Sequence, residues 1–233
     1  MDLVIPPPPL HTLAVAGSRA RFPVNRIFCV GRNYAAHARE MGKDPDRELP
    51  FFFMKPASSV VDASIGEVTI AYPPMTANFH YEIELVVAIC VGGAKITAAN
   101  ALHHVFGYAI GLDMTRRDVQ QEAKDKGRPW EFGKAFLEAA PIGMIHPAAG
   151  IGHLQSAAIS LTVNQQLRQS SDIDMMIWSV AESIAYLSQY EALQAGDLIM
   201  TGTPEGVGAV KPGEVMQGRI AGLGDITVRV AGL

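Results

Sequence analysis

The stretch at residues 80–90, HYEIELVVAIC, narrows the possible folds more than any other part of the chain. Side chains two apart on a strand share a face, so Glu82 and Glu84 project together while Ile83 and Leu85 point to the opposite, apolar side. Residues 86–89 are wholly hydrophobic. The pattern is that of a buried strand with two carboxylates at its mouth. Like charges held side by side repel unless something neutralises them. A hard divalent cation does this best, and oxygen donors select Mg²⁺, Mn²⁺ or Ca²⁺ over zinc. Asp113 offers a third carboxylate, because it ends a second apolar run at residues 107–112. The plainer alternative puts Glu82 and Glu84 on the wet face of an edge strand and makes Asp113 the cap of a following helix. The matching apolar contexts of the two strands favour the metal.

Strand signals recur at residues 26–31, 51–54, 68–71, 106–112 and 198–201, with hairpins at 159–163/166–169 and 215–220/226–230. Helical patterns cover 33–41, stopped by Gly42, then 115–126, followed by Gly127, and finally 177–189, the most amphipathic of the three. Strands outnumber helices and do not alternate with them, which predicts an α+β fold on a mixed, curled sheet. A length of 233 residues suits one large domain. Residues 1–23, with prolines at 6 to 9, read as a short extended N-terminal segment, and residues 24–233 as the catalytic domain. With 48% hydrophobic and 18% charged residues the chain is not of the disordered class. Its net charge of −4 and lack of a basic run give no reason to expect nucleic acid or an anionic membrane as partner. No stretch approaches the roughly 18 apolar residues of a membrane span. Cys29 and Cys90 lie in apolar runs without metal spacing and read as buried, reduced thiols. The early prolines leave no apolar leader, so a cytoplasmic protein is expected.

Three weaker signals accompany the carboxylates. His37 and Glu40 are three apart in a helical pattern, where they share a face. A carboxylate beside an imidazole raises its basicity, as a water-activating base requires, and the charged stretch after it suits a closing lid. The loop at residues 201–208, TGTPEGVG, can turn backbone N–H groups toward an anion, or is simply a tight turn. It lacks the lysine of a nucleotide-binding loop. Lys55 follows three phenylalanines and Lys134 lies between two. Taken singly, such lysines are expected to snorkel to solvent.

Six blocks in order resemble the fumarylacetoacetate hydrolase family: CVGRNYAAHAREMG, FFFMKPASSVV, YPPMTANFHYEIELVVAI, GYAIGLDMTRRDVQ, GRPWEFGKAF and GDLIMTGTPEGVG. The resemblance runs from about residue 24 to the C-terminus and implies a mixed β-sandwich roll with a few short helices, assembled as a homodimer. It implies metal ligation by Glu82, Glu84 and Asp113, and a catalytic set of His37, Glu40 and Lys134. Substrate contacts would fall on Arg32, Lys55, Arg117, Gln120 and Thr203. Magnesium or manganese would be the working ion, with calcium as a substitute in crystals. The implied activity is hydrolysis of the C–C bond of an acylpyruvate, a small diketo acid, with fumarylpyruvate the favoured substrate in aromatic breakdown. Decarboxylation of oxaloacetate and isomerisation or decarboxylation of a hydroxylated dienedioate are alternatives at the same site. A binding protein that keeps the pocket without turnover is another. Two positions depart from the family pattern. Tyr81 stands where a second histidine is common, and Leu137 where many relatives carry an aspartate near the lysine.

Overall fold

The computed structural model describes residues 3–35 and 48–232. Its largest sheet has the order β4 (Phe51–Pro56), β3 (Arg26–Gly31), β15 (Leu198–Met200), β8 (Ile83–Ile89), β9 (Val105–Leu112), β11 (Ala140–Ile142), β5 (Val60–Asp62), with β12 (His146–Pro147) also on β9. The β15–β3 and β11–β5 pairs are parallel and β8 is antiparallel to both its neighbours, so the sheet is mixed. A second sheet runs β14 (Gln166–Asp172), β13 (Ala158–Val163), β17 (Val215–Ile220), β18 (Gly224–Val230), β6 (Glu67–Ile70). Two small ones join β10 (Thr115–Arg116), β7 (Phe79–Tyr81) and β16 (Gly208–Ala209), and β1 (Thr12–Ala14) with β2 (Arg21–Pro23). Among the described residues the α-helices are α1 (Arg117–Asp125), α2 (Glu131–Lys134), α3 (Ala148–Ile151) and α4 (Val180–Tyr190). This is the expected α+β roll of mixed sheets with few helices. No described helix is long and apolar enough to cross a membrane.

Strand parity explains why β8 is hydrophobic at every position but Glu84. Ile83, Leu85, Val87 and Ile89 join a core shared with Leu161, Met216, Ile226 and Val228 of the second sheet. Val86 and Ala88 face the other way, into a core with Ile27, Cys29, Ile142 and Met200. Leu13, Val15 and Phe22 from the first 23 residues close that second core. A strand covered on both sides needs apolar residues at every position, each stabilising the fold by roughly 1.5–3 kcal/mol when fully buried. Helix α4 packs Val180, Ile184 and Leu187 into the first core at helical spacing, and Ser179 and Glu182 close its N-terminus as a capping box. One thiol departs from expectation. Cys29 is buried, but β8 ends at Ile89 and Cys90 emerges exposed.

Candidate metal centre

The register of β8 and β9 builds the acidic cluster. Ile83 pairs with Leu112 and Glu84 with Gly111, so the next step brings Glu82 opposite Asp113, whose N–H donates to the Glu82 carbonyl at 2.8 Å. Glu82, Glu84 and Asp113 are all buried and each offers a carboxylate oxygen within 4.8 Å of the others. Oxygens bound to one Mg²⁺ or Ca²⁺ are separated by at most roughly 4–5 Å, twice the bond length. The hydrogen bonding also fits an ion. Asp113 Oδ1 is buried and accepts no hydrogen bond among the described residues, its 2.8 Å contact with Lys55 Nζ being a charge contact off hydrogen-bond geometry. Glu84 accepts the Gly202 N–H at 2.8 Å but pairs with no cation among the described residues. Burial, then the charges of Asp113 and Glu82, push its carboxyl well above the usual range. Three buried carboxylates of this kind suit a hard divalent cation.

Three cations stand against the three carboxylates. Lys134 Nζ donates to Glu82 Oε2 at 2.7 Å, Asp113 Oδ2 at 2.6 Å and Thr115 Oγ1 at 2.7 Å. Burial disfavours its charge, but Asp113 and Glu82 outweigh that and hold its pKa above the ordinary lysine value. Arg117 donates from Nη2 to Glu82, from Nη1 to Gln120 Oε1 at 2.6 Å and from Nε to His80 Nδ1 at 3.2 Å. Lys55 donates to the carbonyls of Met114, at 3.1 Å, and Lys134. Neither lysine snorkels, contrary to expectation. Both are buried, because the carboxylates between β8 and β9 repay their desolvation. Leu137 is exposed, so the position that often carries aspartate is turned away while Lys134 keeps three acceptors of its own. Tyr81 is buried in the larger core, as its parity requires.

The pocket over the cluster is lined by Arg32, Arg117, Gln120, Lys134 and Thr203 together with the three carboxylates. Lys55 lies beneath Asp113 and does not line it. Thr203 is held by Gln169, whose Nε2 donates to its hydroxyl at 2.8 Å and to the Pro204 carbonyl at 2.9 Å. The glycine loop does present an N–H to an anion, and the anion is Glu84. Gly202 has φ +94°, and a Cβ there would come within 2.7 Å of the Asn33 side chain. Buried Asn33 ties this loop to the approach of α4, donating to the carbonyls of Thr201 at 2.8 Å and Trp178 at 2.9 Å. His37 and Glu40 lie outside the described residues.

Sequence reasoning did not find His80, Lys124 or Trp130. His80 Nε2 contacts Asn78 Oδ1 at 2.8 Å. Burial, then Arg117, lowers its pKa to about 4, so the neutral ring accepts from Arg117. Nothing in the run before Glu82 signals this, because β7 is too short to be read as a strand. Lys124 was findable, since Arg117, Gln120 and Lys124 recur at i, i+3, i+7 on one helix face.

A family model described as "Fumarylacetoacetate (FAA) hydrolase C-terminal" matches residues 26–231. Fumarylpyruvate hydrolase from Ralstonia sp is 47% identical over 192 residues, 82% of this chain and 98% of the relative. Mitochondrial oxaloacetate decarboxylase from Dictyostelium discoideum is 41% identical over 85% of this chain and 89% of the relative. The crystal structure of fumarylpyruvate hydrolase from Pseudomonas aeruginosa, in complex with Mn²⁺ and pyruvate, superposes with a TM-score of 0.95 at 55% identity, covering 100% of both chains.

Proposed function

The chain belongs to the fumarylacetoacetate hydrolase family, and from that premise we propose that it is a metal-dependent hydrolase that cleaves acylpyruvates, with fumarylpyruvate as substrate. The observation that carries this reading is the convergence of Glu82, Glu84 and Asp113, with buried cations against Glu82 and Asp113, at the floor of a pocket. The relative with 98% of its length matched is a fumarylpyruvate hydrolase, and a solved neighbour holds Mn²⁺ and pyruvate, a product of the proposed cleavage. Mg²⁺ or Mn²⁺ is the ion of this reading.

Cleavage adds water across the bond between the acyl carbonyl and the methylene of the pyruvate unit. Hydroxide joins the acyl carbon, the C–C bond breaks, and the methylene carries off the electron pair until a proton makes it the methyl of pyruvate. The products are pyruvate and a carboxylic acid. A hard divalent cation held by Glu82, Glu84 and Asp113 supplies positive charge where the departing enolate gathers negative charge. Lys134, fixed by Glu82 and Asp113, adds a second positive group there. Arg117 and Gln120 orient the substrate from α1, and Thr203 does so from the loop after β15, with Arg32 at the rim. Lys55 contributes from below, its Nζ 2.8 Å from Asp113 Oδ1 holding that carboxylate in position. In this proposal His37 takes the proton from water and Glu40 holds its tautomer, a pairing that rests on their spacing in the sequence. Removing the imidazole by His37→Ala should lower kcat by roughly 10²–10⁴ with metal binding intact. Residues 24–233 form the catalytic domain, working as a cytoplasmic homodimer in aromatic catabolism.

The deciding experiment follows pyruvate release from fumarylpyruvate and acetylpyruvate, and CO₂ release from oxaloacetate, with Mg²⁺ and with Mn²⁺. Pyruvate from the acylpyruvates well above the oxaloacetate rate supports hydrolysis. CO₂ from oxaloacetate with no acylpyruvate cleavage would overturn it in favour of decarboxylation, the activity named for the Dictyostelium relative.

A further inference from the structure

Of the cations lining the pocket over the carboxylates, Arg32, Arg117 and Lys134 each face a carboxylate, and among the described residues Lys124 does not. Arg117 gives its nitrogens to His80, Gln120 and Glu82. Lys134 and Lys55 are committed to the carboxylates and to backbone carbonyls. Lys124 also lines the pocket, yet has no hydrogen-bond or carboxylate partner among the described residues. Its Nζ lies 5.1 Å from the Trp130 ring centre, a cation–π contact. That ring is itself fixed, edge-on to Phe51 at 5.3 Å and tilted on Phe53 at 5.8 Å. Lys124 is half-buried, and its surroundings oppose its charge. Burial first, then Arg117 and Arg32, bring its pKa down to about 8. A cation held where its own protein repels it is suited to an anion that comes from outside.

The shape of the cavity says which anion. The pocket above the carboxylates is about 40 Å³, less than a whole diketo diacid occupies. It adjoins a cleft of about 450 Å³, and Arg32, Lys124 and Trp130 line both. A substrate seated by its 2-oxo acid end over Glu82, Glu84 and Asp113 must run its far end past these three residues. We propose that Lys124, braced on Trp130 with Arg32 across from it, is the specificity-determining residue that takes the distal carboxylate of a dicarboxylic acylpyruvate. This inference rests on the acylpyruvate reading and adds the group that selects a diacid over a neutral acyl chain.

The test compares kcat and KM for fumarylpyruvate, which carries a distal carboxylate, with those for acetylpyruvate, which ends in a methyl group. Wild type, Lys124→Met and Lys124→Arg are measured with Mn²⁺. A charge-assisted hydrogen bond converts to about a 10- to 100-fold effect. Lys124→Met should lower kcat/KM on fumarylpyruvate by about that factor, through KM, and leave acetylpyruvate within about twofold. Lys124→Arg, which keeps the charge, should restore most of the preference. A misfolded variant would lose both substrates and show no rescue by arginine. Equal losses on the two substrates, or no loss on fumarylpyruvate, would overturn the assignment. Wild-type enzyme that cleaves acetylpyruvate but not fumarylpyruvate sinks this inference and leaves the hydrolase reading standing. Turnover of neither sinks both.

Discussion

Two side chains at the centre make opposite demands on a proton. Glu84 is the carboxylate of the cluster that faces no cation among the described residues, and its pKa is raised. An arriving dication must displace the proton it tends to carry. Mn²⁺ affinity should therefore rise with pH, with proton release seen by calorimetry in two buffers of different ionisation enthalpy. Binding without proton uptake or release across the acidic range would contradict this. His80 runs the other way, with a folded pKa near 4 against the usual 6.5. Between those values the unfolded chain binds a proton that the folded one refuses, so the contribution of His80 to stability is present above pH 6.5 and is lost as pH falls toward 4. The Tm advantage of wild type over His80→Gln should shrink between pH 7 and pH 5. A gap that stays constant or widens would rule this out. The carboxylates were legible in the sequence because Asp113 closes a second apolar run that matches the one after Glu84, whereas E-x-E alone fits the wet face of an edge strand equally well. The partners of His80 were not, since β10 and β16 meet β7 only through long-range pairing.

At the level of elements, the turn after β15 carries one ligand by its backbone alone. Gly202→Ala would force a φ of +94° on a residue with a Cβ and push it to 2.7 Å from the Asn33 side chain. The expected cost is about 1–3 kcal/mol, with weaker Mn²⁺ binding because the N–H that holds Glu84 must shift. Gly127→Ala serves as the control, having φ +61° but open space around it. It should lose stability without losing metal affinity. Equal metal affinity in both variants would remove the loop from the account. Elements with strong local signals agree with expectation nearly to the residue: β3 spans Arg26–Gly31, and the hairpins of the second sheet fall as read. The shorter strands β5, β7, β10, β11 and β16 escape such reading, because two to three residues carry no periodicity and form only when a neighbour supplies the hydrogen bonds.

For the molecule as a whole, the site is a junction of parts distant in the chain. The three carboxylates of the cluster sit on β8 and at the adjoining ends of β8 and β9, which local pattern reveals. Lys55 comes from β4 and Lys134 from α2, and only the closed fold shows that both are buried against Asp113. Chelation should lower Tm without unfolding the protein at room temperature. Saturation at a hundredfold excess over Kd adds about 2.7 kcal/mol, or roughly 5–10 °C for a chain of this size. Loss of secondary structure on adding EDTA, followed by circular dichroism, would show that the fold depends on the ion. The geometry predicts otherwise. Each carboxylate of the cluster has a partner in the protein itself, an ammonium or guanidinium for Glu82 and Asp113 and the Gly202 N–H for Glu84, whose raised pKa also favours its neutral form. The polypeptide can therefore finish folding before it meets an ion, and loading becomes a reversible exchange on a completed scaffold. Which hard dication occupies the seat in a cell is then set by supply as much as by the protein.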